Sequence, residues 1–185
     1  MTGVHAPEIK PATPLVILFG IGNCGRNDDG LGWAFLDRIQ TDVSFPGLLE
    51  YRYHLQVEDA ALIRDADRVI FVDSNRGSLP AGWAWQPCEA SADFQFTTHA
   101  LPPQAVLFLC QDLYQKSPPA DLLIIEGVSW KLQTGLSDKA AQNLESALRF
   151  FSKLVGSGYW PESSDSDSHK VTLSSEIRSI GTSPC

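Results

Sequence analysis

The stretch Leu15–Gly32, LVILFGIGNCGRNDDGLG, limits the possible folds more than any other part of the sequence. An apolar run closed by glycine has the pattern of a buried strand, and Leu31, Phe35 and Ile39 then recur at helical spacing. The unit is strand, glycine-rich turn and helix, with two carboxylates, Asp28 and Asp29, at the junction. In an open parallel sheet that junction falls at the carboxyl ends of the strands, where ligands bind.

The rest of the chain repeats this alternation. The first strand is predicted over Leu15–Phe19 and its helix from Asp29 to Gln40. Tyr51, Tyr53, Leu55 and Val57 alternate with polar residues, the period of a second strand, and Glu58–Asp67 favours a short helix. Arg68–Val72 is a third buried strand ending on Asp73. Trp83–Pro87 reads as a short edge strand, because proline cannot donate to a ladder. Pro102 and Pro103 suit the first turn of a helix whose apolar stripe is Val106, Leu109, Cys110 and Leu113. Leu122–Ile125 is a fifth strand, and Ser137 an N-cap for a last helix that buries Leu144, Ala147, Leu148 and Phe151. Strands alternating with helices predict a three-layer α/β domain. Right-handed crossovers then bring the ends of strands one, three and five to one rim. The expected organisation is a loose leader over 1–14, one α/β domain over 15–155, and a flexible Ser-rich tail over 156–185.

Charge and composition narrow the function. The net charge is −8 with no basic block, which argues against nucleic acid as a partner. No apolar run approaches the roughly 18 residues of a membrane span, and the N-terminus carries no apolar core of a signal peptide. Cys24, Cys88, Cys110 and Cys185 lack metal-finger spacing and read as reduced thiols. These features point to a cytoplasmic protein, with a monomer as the default state.

Three potential ligands follow three different core elements: Asp29 after strand one, Asp73 at the tip of strand three, and His99 before a later helix. Two carboxylates and an imidazole suit a divalent ion such as nickel or zinc, and three protein ligands leave positions open for water or substrate. Each residue also has a plainer role. Asp28 and Asp29 could cap the helix and complement its dipole, the role preferred for Asp28. Asp73 could close a turn through Ser74 and Asn75, and a single histidine is usually just hydrogen-bonded. Gly22 and Asn23 could shape a substrate cleft in the first turn, where glycine permits close backbone approach. Glu126 is placed as an ordinary strand-end acid near the same rim. GIGNCG also fits G-x-G-x-x-G, the dinucleotide-binding pattern, although Asp28 and Asp29 would repel a pyrophosphate at that helix start. Cys24 with His99 is a further alternative, a cysteine protease without a visible third partner.

Taken in order, these motifs resemble one family. GIGNCGRNDDGLG is similar to the opening motif of the hydrogenase maturation endopeptidases, IFVDSNRGSLPAG to their second, FTTHALPP to their third, and IIEGVSWKLQTGLSDKAAQNLESAL to their closing strand, loop and helix. The resemblance runs over about residues 15–155. It implies a five-stranded mixed sheet in the order 2-1-3-5-4 with strand four antiparallel, agreeing with the edge strand at Trp83–Pro87. It implies removal of the C-terminal extension from the large-subunit precursor of a nickel-iron hydrogenase, with the precursor as partner. It also implies that Asp29, Asp73 and His99 recognise nickel brought by the substrate rather than held permanently. Some family members carry Glu where this chain has Asp29. A non-catalytic metal-dependent assembly factor of the same fold is the alternative, since no conventional nucleophile is evident.

Overall fold

The computed structural model describes residues 14–43, 45–93 and 101–157. Its elements in chain order are β1 (Val16–Ile21), a 3-10 turn (Asn27–Gly30), α1 (Leu31–Asp42), β2 (Leu48–Arg52) and α2 (Asp59–Ile63). They continue with β3 (Arg68–Asn75), β4 (Trp83–Pro87), α3 (Pro103–Tyr114), β5 (Ala120–Glu126) and α4 (Asp138–Ser157). The sheet order is β2-β1-β3-β5-β4, with β4 antiparallel to β5 and the other pairs parallel. This is the expected three-layer architecture.

Continuous apolar runs make the central strands because those strands are covered on both faces. Alternate side chains of β1 and β3 enter different cores. Val16, Leu18, Ile70 and Val72 pack with Leu31, Phe35 and Ile39 of α1 and with Leu144, Leu148 and Phe151 of α4. Ile17, Phe19, Val69 and Phe71 pack with Ala60 and Ile63 of α2 and with Val106, Leu107 and Cys110 of α3. In α3 the buried stripe is Ala105, Val106, Leu107 and Cys110, whereas Leu113 faces solvent. The start of α1 lies directly on the sheet: a Cβ on Gly32 would fall 2.3 Å from the carbonyl oxygen of Ile21 and 2.6 Å from that of Val72. Only glycine permits that approach.

The second strand differs from expectation. It runs over Leu48–Arg52, beginning before the alternation that starts at Tyr51, and it ends before Tyr53. Pairing with β1, from Ile17 opposite Leu48 to Ile21 opposite Arg52, sets its register. Asp59 then turns the chain away by accepting hydrogen bonds from Arg52 Nε and Gln56 N, each at 2.9 Å. Tyr53 and Val57 are left exposed. Strands β1, β3 and β5 each run past their expected ends; β1 continues through Gly20, which pairs with Tyr51 on one side and Val72 on the other.

The edge strand β4 lies where the proline-ended pattern placed it. Its tryptophans turn to α4: Trp83 Nε1 donates to Ser146 Oγ at 3.1 Å, and the rings of Trp83 and Phe150 lie 4.6 Å apart. Ser137 caps α4, its Oγ accepting from Ala140 N at 3.2 Å. That helix extends to Ser157, past the expected domain end at 155. No helix among the described residues is long and apolar enough to cross a membrane.

Candidate functional site

The carboxyl ends of β1, β3 and β5 form one rim, and the loops leaving them are tied together. Asn27 takes a positive φ of 50°. Its N–H donates to the carbonyl of Gln133 at 2.7 Å and its Nδ2 to that of Gly135 at 2.8 Å. Asp28 is fully buried and accepts four hydrogen bonds from the loop after β5: Val128 N, Ser129 N and Ser137 Oγ at 2.8 Å, and Ser137 N at 2.7 Å. Burial pushes this carboxyl up, but the bonds from Ser137, Val128 and Ser129 outweigh it and hold it below its ordinary value. Helix capping, the role expected for Asp28, is therefore not what it does. Neither the 3-10 turn nor α1 has a side-chain cap, and Asp28 instead clamps residues 128–137 to the first loop. Sequence reasoning missed this role for both Asn27 and Asp28. No local signal marked it, because the partners of both residues lie about a hundred positions away.

Asp29 points the other way, half-buried at the rim. Desolvation raises its pKa, while the charges of Arg26 and Arg76 and the Asn23 amide pull it back. Asp73 lies inside β3, opposite Ile124 of β5, rather than beyond the strand end. One of its oxygens accepts from Ser74 N at 2.7 Å, so the expected local bond exists. Desolvation pushes Asp73 up to about 7, the Ser74 bond opposes this, and the negative charge of Asp29 adds to it. The two predicted acids thus lie near enough for the charge of Asp29 to act on Asp73. His99 falls outside the described residues, and among those residues no cluster of three or more metal-ligating side chains is present.

A pair of acids that cannot comfortably ionise together has two stable occupants, a proton or a cation. The carboxylate oxygens of Asp29 and Asp73 match the donor chemistry of a divalent metal ion, and the imidazole of His99 would complete the set inferred from the sequence.

Gly22 and Asn23 stand beside Asp29. Gly22 has a φ of +130°, and a Cβ there would fall 1.8 Å from the Asp29 carbonyl oxygen, which accepts the Asn23 N–H at 3.1 Å. This loop has little to offer a pyrophosphate. The N–H groups of Gly22, Asn23, Gly25, Arg26, Asn27, Asp28 and Asp29 all donate within the protein, which removes the donors the dinucleotide reading requires. Cys24 is exposed and Cys88 and Cys110 are buried, all three as free thiols. Pairing of Cys24 with His99 falls outside the described residues. Glu126 serves the fold: its Oε2 accepts from Leu79 N at 2.7 Å and holds the turn after β3.

The architecture and the rim define a class, a single α/β domain with a mixed five-stranded sheet and paired acids at its carboxyl edge. No protein-family model matches the sequence, and no curated relative does. Solved structures do. The hydrogenase maturating endopeptidase HybD from E. coli superposes with a TM-score of 0.62 and 17% identity, over 78% of this chain and 94% of that one. The [NiFe] hydrogenase maturation protease HycI from Thermococcus kodakarensis KOD1 gives a TM-score of 0.60 and 20% identity, over 79% and 95%. The hydrogenase 2 maturation peptidase from Thaumarchaeota archaeon SCGC_AB-539-E09 gives 0.56 and 18%, over 77% and 98%. The chain has the fold of the hydrogenase maturation endopeptidases, as its motifs imply.

Proposed function

We propose that this protein is an endopeptidase that removes the C-terminal extension from the nickel-loaded large-subunit precursor of a nickel-iron hydrogenase, acting in the cytoplasm. The observation that carries this reading is the coupled pair Asp29 and Asp73 at the rim of a fold shared with maturation proteases. Asp29, Asp73 and His99 receive the nickel ion that the precursor already holds, and the ion bridges the two proteins. Without it, two acids face the incoming chain with their charge only partly offset by Arg26 and Arg76, which disfavours docking. With it, the peptide is fixed beside the site, and the ion can polarise the scissile carbonyl or activate a water. The metal thereby licenses the cut. A permanently resident metal would erase that dependence.

The test is to incubate purified protein with nickel-loaded and nickel-free precursor and follow the large subunit by intact-mass spectrometry. The nickel-loaded form should lose its C-terminal segment and the nickel-free form should not. Asp29→Ala, Asp73→Ala and His99→Ala should each abolish the loss while keeping the circular dichroism of the fold. Normal cleavage by His99→Ala excludes the scheme. Tight association with the precursor without any shortening would identify an assembly factor instead.

A further inference from the structure

The rim that carries the two acids also carries a preorganised cation. Arg76 is the first residue after β3, three positions beyond Asp73. Among the described residues it forms no ion pair and donates no hydrogen bond. Its guanidinium instead lies over the indole of Trp130, 4.3 Å from the ring centroid. Both partners are fixed from below. The Gly127 N–H donates to the Asn75 carbonyl at 2.9 Å, and Asn75 Nδ2 donates to the Gly77 carbonyl at 2.8 Å, which ties the Arg76 turn to the loop after β5. A Cβ on Gly127 would lie 2.7 Å from Cβ of Asp28 and 3.2 Å from Cζ2 of Trp130, so the indole rests on the clamp next to Asp29. A guanidinium held by its flat face keeps its in-plane N–H donors for a ligand.

Charge balance says what that ligand is. Two ionised carboxylates neutralise one divalent ion. Asp28 and Glu126 are already held by donors of the protein, so once the ion is bound Arg76, with Arg26 exposed on the neighbouring loop, supplies the charge that still faces a ligand. Such a rim disfavours a bare cation and favours one that arrives wrapped in anionic donors. We propose that Arg76, seated on Trp130, is a specificity-determining residue that selects a metal ion presented within an anionic coordination sphere, such as carboxylates or thiolates of a polypeptide, over the free ion. This rests on the metal-recognition reading of Asp29 and Asp73 and adds the kind of complex they accept.

The test is a charge series of three probes titrated calorimetrically into the full-length protein at neutral pH: hydrated nickel (doubly positive), nickel iminodiacetate (neutral) and nickel nitrilotriacetate (singly negative). Arg76→Gln keeps the length and a hydrogen-bonding head but removes the charge. Losing one charge-assisted contact should weaken nickel nitrilotriacetate about tenfold. It should leave nickel iminodiacetate within about twofold and tighten hydrated nickel severalfold, because a repelling charge has gone. Arg76→Lys should restore the order of the series. A shift of all three probes in one direction, or of none, overturns the inference and leaves metal recognition standing. Failure of the wild type to bind any of the three overturns both. A wild type that shows the graded series yet does not shorten the nickel-loaded precursor loses the peptidase reading alone.

Discussion

Replacing Asp28 by Asn tests whether the loop after β5 is held by charge or merely by shape. The side chain is fully buried and its two oxygens accept four hydrogen bonds, three of them from backbone N–H groups. Asparagine fits the same space. If its oxygen takes the position that faces Val128 and Ser129, its NH2 must face the Ser137 N–H, donor against donor. One charge-assisted bond is lost, worth roughly 1.5–3 kcal/mol, and the remaining bonds weaken as they become neutral. The expected cost is about 3 kcal/mol. With a urea slope of roughly 2 kcal/mol/M, the unfolding midpoint should fall by roughly 1.5 M at unchanged slope. Ser137 supplies two of the four bonds, so a double-mutant cycle with Ser137→Ala should show roughly 1 kcal/mol or more of coupling. The folded carboxyl sits below its ordinary 3.8. Its contribution is therefore present above that value and lost as pH falls through the folded value, and the Asn variant should lack this acid-limb decline. A midpoint shift equivalent to less than about 0.5 kcal/mol, or no coupling to Ser137, would refute the clamp.

The raised pKa of Asp73 has the opposite sign. An acid pushed up to about 7 in the fold adds stability that is complete below 3.8 and lost as pH rises through about 7. Asp73→Asn should flatten that decline in thermal midpoints measured across the range. The same proton competes with metal. Nickel binding below pH 7 should release a proton from Asp73, seen as a calorimetric heat that scales with buffer ionisation enthalpy, and apparent affinity should fall toward tenfold per pH unit. Gly22→Ala forces a Cβ to 1.8 Å from the Asp29 carbonyl oxygen at a φ of +130°. It should lower the melting temperature by roughly 5 °C or more and abolish precursor processing together with the geometry of Asp29.

Where side chains enter a core by simple alternation, the sequence carried the structure. The runs in β1 and β3, the helical stripes of α1 and α4, and the proline-ended edge strand could be read from residue pattern alone, and the strand order followed from the ordered motifs. Long-range partnership decided the rest. The alternation of Tyr51, Tyr53, Leu55 and Val57 is real, but strand ends obey the neighbour: β2 stops at Arg52 because Asp59 captures that arginine and turns the chain. Asp29 and Asp73 could be singled out as candidates because one lies in the loop after β1 and the other near the carboxyl end of β3. Asp28 was assigned the local role of a cap, since its partners lie about a hundred residues away and only the folded loops reveal them.

The two adjacent acids of the first loop divide the work. Asp28 faces inward and is satisfied by four donors, while Asp29 faces the rim and repels Asp73. The buried, four-bonded acid holds the rim acid in place. Two like charges near one another move apart if their loops are free, and the repulsion is then relieved without any ligand. Here Asp73 is held within the β3–β5 ladder, and Asp29 is the next residue after one that is anchored to the loop leaving β5. Neither carboxylate can retreat, and Arg26 and Arg76 offset only part of the charge on Asp29, so a proton or a cation relieves the pair. On the proposed reading this turns an electrostatic penalty into a condition for docking. It also predicts that loosening the clamp should damage metal dependence before it damages binding. A moderately stable Ser137→Ala variant, which keeps the backbone donors to Asp28 but drops the hydroxyl, should process nickel-loaded precursor more slowly and tolerate nickel-free precursor better than the wild type does. Equal loss of processing for both precursor forms would mean that the clamp serves stability alone.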